Sequence, residues 1–478
     1  MSRFAVLNAS DAAVPKCPTG IRGLDEITYG GLPRGRPTLL CGAAGSGKTL
    51  LASEFIVRGA TQYEEPGVIV LFEETAPELA ANVRSLGFDL EDLVATKRVV
   101  IDHVHIEPAE IEETGDYDLD GLFIRLGHAI DSIGARRVVL DTIEMLFAGL
   151  SNTGILRAEL RRLFRWLKDR GVTAIITAER GDGKLTRQGL EEYVADCVIL
   201  LDHRTVDQVA TRRIQIVKYR GGRHGTNEYP FLIAEDGVDI LPITSVGLDH
   251  VASTDRVATG ISGLDRMLGG RGVYRGSSIL VSGAAGTGKS TIAACFVDAA
   301  CRRGERCVYF AFEESQSQIV RNMRSIGVDL DRWVKAGLLE FHVARPTMHG
   351  LENHVATIQK IVRDVAPAVV VMDPITNFLG IGNADRVKKM LTRVVDFLKL
   401  CGATALFTSL RADTVDNDDS GVSSLIDCWI LVRNAEYDGD RQRGIYVLKS
   451  RGMNHSSRVS RLEITDRGIE ITTEEPKR

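Results

Sequence analysis

The sequence predicts an α/β protein of two tandem P-loop domains, each a mostly parallel β-sheet flanked by helices. Three observations predict it. The chain repeats itself at an interval of about 230–240 residues, the mark of a duplicated unit. Short β-branched runs alternate with helical patterns in both copies, as a parallel sheet with crossover helices requires. Both copies also set a glycine-rich loop between such a run and a helix. At 478 residues the chain is too long for one ordinary core. The expected domains are 1–248 and 249–478, joined near Ser245 to Asp255.

Each copy opens alike, on Thr19-Gly20-Ile21-Arg22-Gly23-Leu24-Asp25 and Thr259-Gly260-Ile261-Ser262-Gly263-Leu264-Asp265, then a Gly-Gly turn. A strand-like run follows, Thr38 to Cys41 or Ser278 to Val281, and leads into the glycine-rich loop and an apolar helix. Next come Val68 to Leu71 and Cys307 to Ala311, which run into Glu73-Glu74 and Glu313-Glu314. Arg84-Ser85-Leu86-Gly87 matches Arg324-Ser325-Ile326-Gly327. Further β-branched runs end at Asp141 and Asp373. The helical stretch Arg157 to Arg170 gathers Leu160, Leu163, Phe164 and Leu167 on one stripe, which leaves its arginines on a solvated face. Each copy closes on a Lys-x-Arg-Gly strand, Lys218 to Gly221 and Lys449 to Gly452.

The loops Gly42-Ala43-Ala44-Gly45-Ser46-Gly47-Lys48-Thr49 and Gly283-Ala284-Ala285-Gly286-Thr287-Gly288-Lys289-Ser290 both satisfy G-x-x-x-x-G-K-[ST]. Glycines let successive N–H groups curl toward phosphate oxygens, and the following helix adds its positive end. The lysine offsets phosphate charge, and the hydroxyl of Thr49 or Ser290 ligates Mg²⁺. A plain glycine turn would not recur at matching places, so ATP is the expected ligand.

Asp141 and Asp373 each close an apolar run, the position of a Walker B carboxylate that holds the magnesium shell. A helix N-cap is the bland alternative. Glu73-Glu74 and Glu313-Glu314 fall at the carboxyl edge of the sheet, where ligands sit. A carboxylate there can orient or deprotonate an attacking group, and the recurrence argues against a merely solvated pair. Lys218 and Arg220 share one strand face, as do Lys449 and Arg451, because side chains alternate. Such cations suit a neighbouring subunit's γ-phosphate, with a solvated strand face as the alternative.

Composition narrows the classes. The net charge of −5 exerts no general pull toward nucleic acid or an anionic membrane. No apolar run approaches the ~18–20 residues that span a bilayer, and Met1 to Asn8 lacks the apolar stretch of a secretory signal. Eight scattered cysteines with no C-x-x-C fit buried thiols in a reducing cytosol, so a cytoplasmic protein is expected. His103-Val104-His105 reads as one face of a strand rather than a metal site.

The layout of these motifs resembles the KaiC family, double-domain RecA-like ATPases of the cyanobacterial clock, from about Pro18 to about Thr472. The resemblance includes Glu228-Tyr229-Pro230-Phe231 and the Lys-x-Arg-Gly-x-x-His pattern ending at His224 and His455. It implies a homohexamer with ATP at each subunit interface, a first domain that is a slow ATPase and a second that is an autokinase and autophosphatase. Lys218, Arg220 and His224 would act in trans in the first ring, and Lys449, Arg451 and His455 in the second. Nucleotide contacts would extend to Leu50, Ser85, Tyr219, Arg443 and Ser450. Glu73 would position water, and Glu313 would be the base for phosphotransfer and join the metal set. Ser423 and Ser424 match the family's phosphorylated pair. The implied partners are further copies of the chain and a KaiB-like protein or a histidine kinase and response regulator.

Three positions depart from the clock proteins. Asp418 replaces a threonine, Ile326 replaces a tryptophan beside the nucleotide, and the chain stops at Arg478, soon after its last strand. The expectation is a shorter relative used in signalling or a simpler timer. Two rival readings are a DNA-acting RecA-like or replicative-helicase motor and an ATP-gated scaffold. The pore-loop segments that a DNA motor needs, Glu179 to Gln188 and Arg411 to Asp419, are mixed and acidic, so nucleic acid is not an expected partner.

Overall fold

The computed structural model describes residues 14–104, 119–147, 153–181, 186, 195–206, 209–242, 252–348, 350–382, 384–410, 424–437 and 440–472. The chain divides into two compact units, Met1–Thr244 and Ser245–Arg478.

In the first unit, β1 (Lys16–Cys17) and β2 (Leu32–Pro33) form a small antiparallel ribbon. The main sheet has nine strands. They are β3 (Pro37–Gly42), β4 (Gly67–Leu71), β5 (Val99–His103), β6 (Arg137–Asp141) and β7 (Thr173–Glu179). Then come β8 (Cys197–Val206), β9 (Val209–Tyr219), β10 (Glu228–Ala234) and β11 (Gly237–Ile240). Their order is β11-β10-β9-β8-β3-β7-β6-β4-β5. The run from β8 to β5 is parallel, and β9 to β11 extend it in antiparallel fashion.

The continuous apolar runs follow from burial on both faces. Within β4, Val68 and Val70 pack into one core with Leu126 and Leu163, while Ile69 and Leu71 pack into the other with Phe55 and Ile56. Phe55 and Ile56 come from the helix Lys48–Gln62, which the glycine-rich loop starts. One fully buried cation braces this helix. Arg137 donates to Glu65 and to the Phe55 and Pro18 carbonyls, all at 2.7–2.9 Å.

The second unit repeats the plan. β12 (Arg256–Val257) pairs with β13 (Val273–Tyr274). The large sheet comprises β14 (Ser278–Gly283), β15 (Cys307–Ala311), β16 (Leu339–Val343), β17 (Val369–Asp373) and β18 (Thr404–Leu410). It continues with β19 (Cys428–Tyr437), β20 (Asp440–Ser450), β21 (Ser460–Thr465) and β22 (Gly468–Thr472). The order β16-β15-β17-β18-β14-β19-β20-β21-β22 matches the first sheet strand for strand. In both, the strand that feeds the glycine-rich loop lies at the centre, and the apolar runs deliver Asp141 and Asp373 to the same carboxyl edge.

Candidate nucleotide sites

Each loop is already curled. Gly45 and Gly47 take φ values of 72° and 102°, and Gly286 and Gly288 take 75° and 100°, a region that favours glycine. A Cβ at Gly45 or Gly286 would meet nothing within 4 Å, so the loop crest faces open space that a polyphosphate can occupy. Ser46 and Thr287 are buried beneath it. Lys48 folds back to donate to the Gly42 and Ala43 carbonyls at 2.8 and 3.1 Å, and Lys289 donates to the Ala284 carbonyl at 2.7 Å. Leu50 packs against the core, which leaves its main chain to face a ligand.

Asp141 bonds its loop directly, whereas Asp373 bonds neighbouring strands. Thr49 donates to Asp141 Oδ2 at 2.8 Å, and Thr177 donates to Oδ1. In the second unit Thr408 donates to Asp373 Oδ1, but Oδ2 accepts from the Tyr309 hydroxyl at 2.5 Å. Burial and the adjacent Asp373 push the Tyr309 hydroxyl well above its usual range, so it stays protonated and donates. Both aspartates precede a cis peptide bond, to Thr142 and to Pro374. An oxygen-rich set of one hydroxyl and one carboxylate suits Mg²⁺, a hard cation that keeps several waters.

In each glutamate pair the second member is held by an asparagine, Glu74 half-buried and Glu314 exposed. Glu74 accepts from Asn82 at 3.0 Å, and Glu314 accepts from Asn322 at 3.1 Å, both from the helix that follows. Burial, with Asp141 and Glu73 nearby, raises the Glu74 carboxyl above its ordinary range. Glu73 and Glu313 are exposed at the sheet edge. The helices Ala76–Arg84 and Gln316–Arg324 that carry the asparagines start in capping boxes, Thr75 with Glu78 and Ser315 with Gln318. Ser85 and Ser325 then bond back to the Asn82 and Asn322 carbonyls.

The Lys-x-Arg motifs sit elsewhere. Lys218 pairs with Val198 and Tyr219 with Cys197, at the start of β8, and Cys197 in turn pairs with Thr38 at the start of β3. Lys449 pairs with Trp429 near the start of β19. These cations therefore lie at the amino edge of each sheet. Their own glycine-rich loop is at the carboxyl edge, six residues of β3 or β14 away, roughly 20 Å.

The expectation that the Lys and Arg share a strand face needs correction. β9 ends at Tyr219 and β20 at Ser450, so Arg220 and Arg451 stand in the turns that Gly221 and Gly452 form with positive φ. Arg220 lies 3.8 Å from Asp196. Arg451 lies 3.8 Å from Asp427 and donates to the Ser424 carbonyl at 2.7 Å. Asp427 resists the upward pull of burial and sits below the usual carboxylate range because Lys399 and Ser278 bond it.

The Tyr219 ring is buried, donates to the Gly31 carbonyl at 3.0 Å and stacks on His224, so only its main chain could face a nucleotide. Ser450 pairs with Cys428 in the ladder, and His455 lies in the loop beyond, near the Met453 carbonyl. Arg443 reaches the Gly286 carbonyl of its own loop at 3.3 Å, on the opposite edge from Lys449. Ile326 packs against the second core. Ser423, Asp418, His105, most of 179–188 and all of 411–419 lie outside the described residues, as does 243–251 of the expected joint.

Sequence reading missed Thr177 and Thr408, Asn82 and Asn322, and Tyr309. The threonines carried a signal, since Thr-Ala-x-x-Thr recurs at Thr173 to Thr177 and Thr404 to Thr408. The asparagines recur too, nine residues after the first glutamate of each pair. Tyr309 carried none, because an aromatic residue in an apolar run reads as core.

A mostly parallel sheet with a glycine-rich loop that ends in Lys and a hydroxyl residue, and with an aspartate and a carboxylate pair at the same edge, defines a RecA-like P-loop ATPase, here present twice. The family model described as "ATPase: KaiC" matches residues 17–245 and 257–476, and the chain belongs to that family. It is 56% identical over 468 residues to "Circadian clock protein KaiC2" of Synechocystis sp., covering 97% of this chain and 82% of that protein. It is 36% identical to "Circadian clock oscillator protein KaiC" of Synechococcus elongatus over 472 residues, 97% and 90% of the two chains. Identity to "Circadian clock protein KaiC3" of Synechocystis sp. is 37% over 465 residues, 96% and 92% of the two. Among the described residues no helix is long and apolar enough to cross a membrane.

Proposed function

We propose that the chain is a Mg²⁺-dependent ATPase that assembles head to tail into a homohexamer, whose second domain transfers phosphate to and from Ser423 or Ser424. The observation that carries this reading is the separation within each unit. The glycine-rich loop occupies the carboxyl edge, while Lys218 with Arg220, or Lys449 with Arg451, occupies the amino edge. A site that needs both can be completed only by a second copy, and a repeated edge-to-edge contact closes into a ring.

In this reading Lys48 and Lys289 turn from their loop carbonyls to the β- and γ-phosphates. Thr49 with Asp141, and Ser290 with Asp373, hold the metal shell. When bound, Mg²⁺ offsets the charge that develops on the transferring phosphoryl group. In residues 1–248, Glu73 orients a water and Asn82 fixes Glu74 beside it. In residues 249–478, Glu313 accepts the proton of a serine hydroxyl. The serine oxygen bonds to γ-phosphorus as the bond to the β–γ bridging oxygen breaks, and ADP departs with that electron pair. The output is a signalling or timing switch in the cytoplasm, read by a KaiB-like protein or by a histidine kinase and response regulator.

The test is incubation with γ-labelled ATP and Mg²⁺, following label on protein and label released as phosphate. Label on the peptide holding Ser423 and Ser424, lost in Glu313→Gln, is the expected result. Released phosphate without protein label would reduce the second domain to an ATPase. Sedimentation that finds monomers with ATP present would overturn the ring.

A further inference from the structure

The two metal-holding aspartates sit in different hydrogen-bond settings. Asp141 and Asp373 end matching strands, and each accepts from a threonine on the next strand, Thr177 or Thr408, through Oδ1. Oδ2 differs. In the first unit it accepts from Thr49, whose oxygen is the one the motif turns to the metal. In the second it accepts from Tyr309, and among the described residues Ser290 makes no bond to Asp373. The position matching Tyr309 is Ile69, which is equally buried and has no hydroxyl. Tyr309 itself is fully buried, with its ring 5.1 Å from Phe341, so its hydroxyl has a fixed direction.

We propose that Tyr309 is a positioning residue of the second nucleotide site, which occupies Asp373 Oδ2 and thereby loosens that site's hold on its divalent cation relative to the first. A carboxylate in the outer metal shell acts by accepting protons from metal-bound water and from the ligating hydroxyl. A short bond from a buried phenol draws charge from the same oxygen and competes with both. In the first unit the competing donor is the metal ligand itself, so its bond to Asp141 aligns the site. In the second, Ser290 would have to share Oδ2 with the phenol. The inference rests on the reading of both loops as Mg-ATP sites and adds that the sites are unequal in metal affinity for a reason confined to one hydroxyl.

The test uses the full chain, saturated with a non-hydrolysable ATP analogue and titrated with Mn²⁺, with free Mn²⁺ read by electron paramagnetic resonance. The expected wild-type isotherm has a tight and a weak class of site, and Lys289→Ala removes the weak one. Tyr309→Phe keeps the ring and deletes only the hydroxyl. It should tighten the weak class by about tenfold, the scale at which outer-shell bonds tune metal affinity, and leave the tight class in place. Thermal unfolding of the same variant controls for a merely structural role, which would shift the melting midpoint and not one class of Mn²⁺ site. A single class in the wild type, or a weak class unmoved by Tyr309→Phe, overturns the inference while the nucleotide-site reading stands. No nucleotide-dependent Mn²⁺ binding at all overturns both.

Discussion

Glu54 shows how a single side chain ties stability to pH. It lies on the helix that follows the first glycine-rich loop, is 1% exposed, and accepts from the Val238 N–H at 2.7 Å and from Arg58 at 3.3 Å. Burial, the largest influence, raises its carboxyl from 4.5 to about 7. The folded chain therefore keeps a proton that the unfolded chain releases, and stability falls as pH climbs from about 4.5 to about 7. Glu54→Gln retains the acceptor for Val238 without the titration, so its melting temperature should vary less across that window. Equal slopes for both proteins would refute this. The asparagine clamps belong to the same scale. Asn82→Ala should lower hydrolysis at the first site on the order of 10–100-fold while nucleotide affinity holds, because Glu74 loses its fixed direction. Steady-state kinetics of a Lys289→Ala background would separate the two parameters. The asparagine clamps left a signal, their recurrence nine residues after the first glutamate, but the role of Glu54 was not legible. Glu54 is buried by the Gly237 hairpin far along the chain, and polar residues within apolar patterns reveal partners only once the sheet is closed.

Among the elements, the loops were legible because everything they need is local. Spacing, glycines and flanking periodicity all lie within some fifteen residues, and the structure sets them between a central strand and a helix. Gly288 shows why no other residue serves. Its φ is 100°, and a Cβ there would come within 2.9 Å of Ile464 Cδ1. The left-handed backbone alone costs roughly 1–2 kcal/mol for an L-residue. Gly288→Ala should thus abolish binding of a fluorescent ATP analogue at the second site and spare the first, so that bound analogue per chain halves. The ends of β9 and β20 were not legible. Each hairpin carries a register shift, which leaves Val217 and Leu448 without a ladder partner just before the Lys-x-Arg motif. A bulge is decided by the opposing strand, and the arginines were misassigned because the strands stop at Tyr219 and Ser450, one residue short of them.

For the whole molecule, duplication was plain in the sequence, whereas the placement of one half-site at each edge of a sheet emerged only from strand pairing. That placement yields a mixing experiment. In a Lys289→Ala background, Lys48→Ala and Arg220→Ala should each be inactive. Co-assembled in equal amounts, about a quarter of the junctions would unite an intact loop with an intact arginine, and activity should reappear in proportion. Phosphate release equal to the average of the two parents would show that Arg220 does not act across copies.

The segment from Glu73 to Asn82 has a property of its own. Its ten residues hold the carboxylate pair, the capping box and the asparagine clamp, and Glu313 to Asn322 does the same. The spacing that aims the held carboxylate is thus encoded without help from distant chain. One residue inserted after the cap would swing the asparagine by about 100° around the helix and turn Leu79 and Val83, or Ile319 and Met323, away from the core with it. The direction of the held carboxylate and the packing of the helix are thus set by one register, and the ten-residue cassette could be exchanged between the halves as a single part.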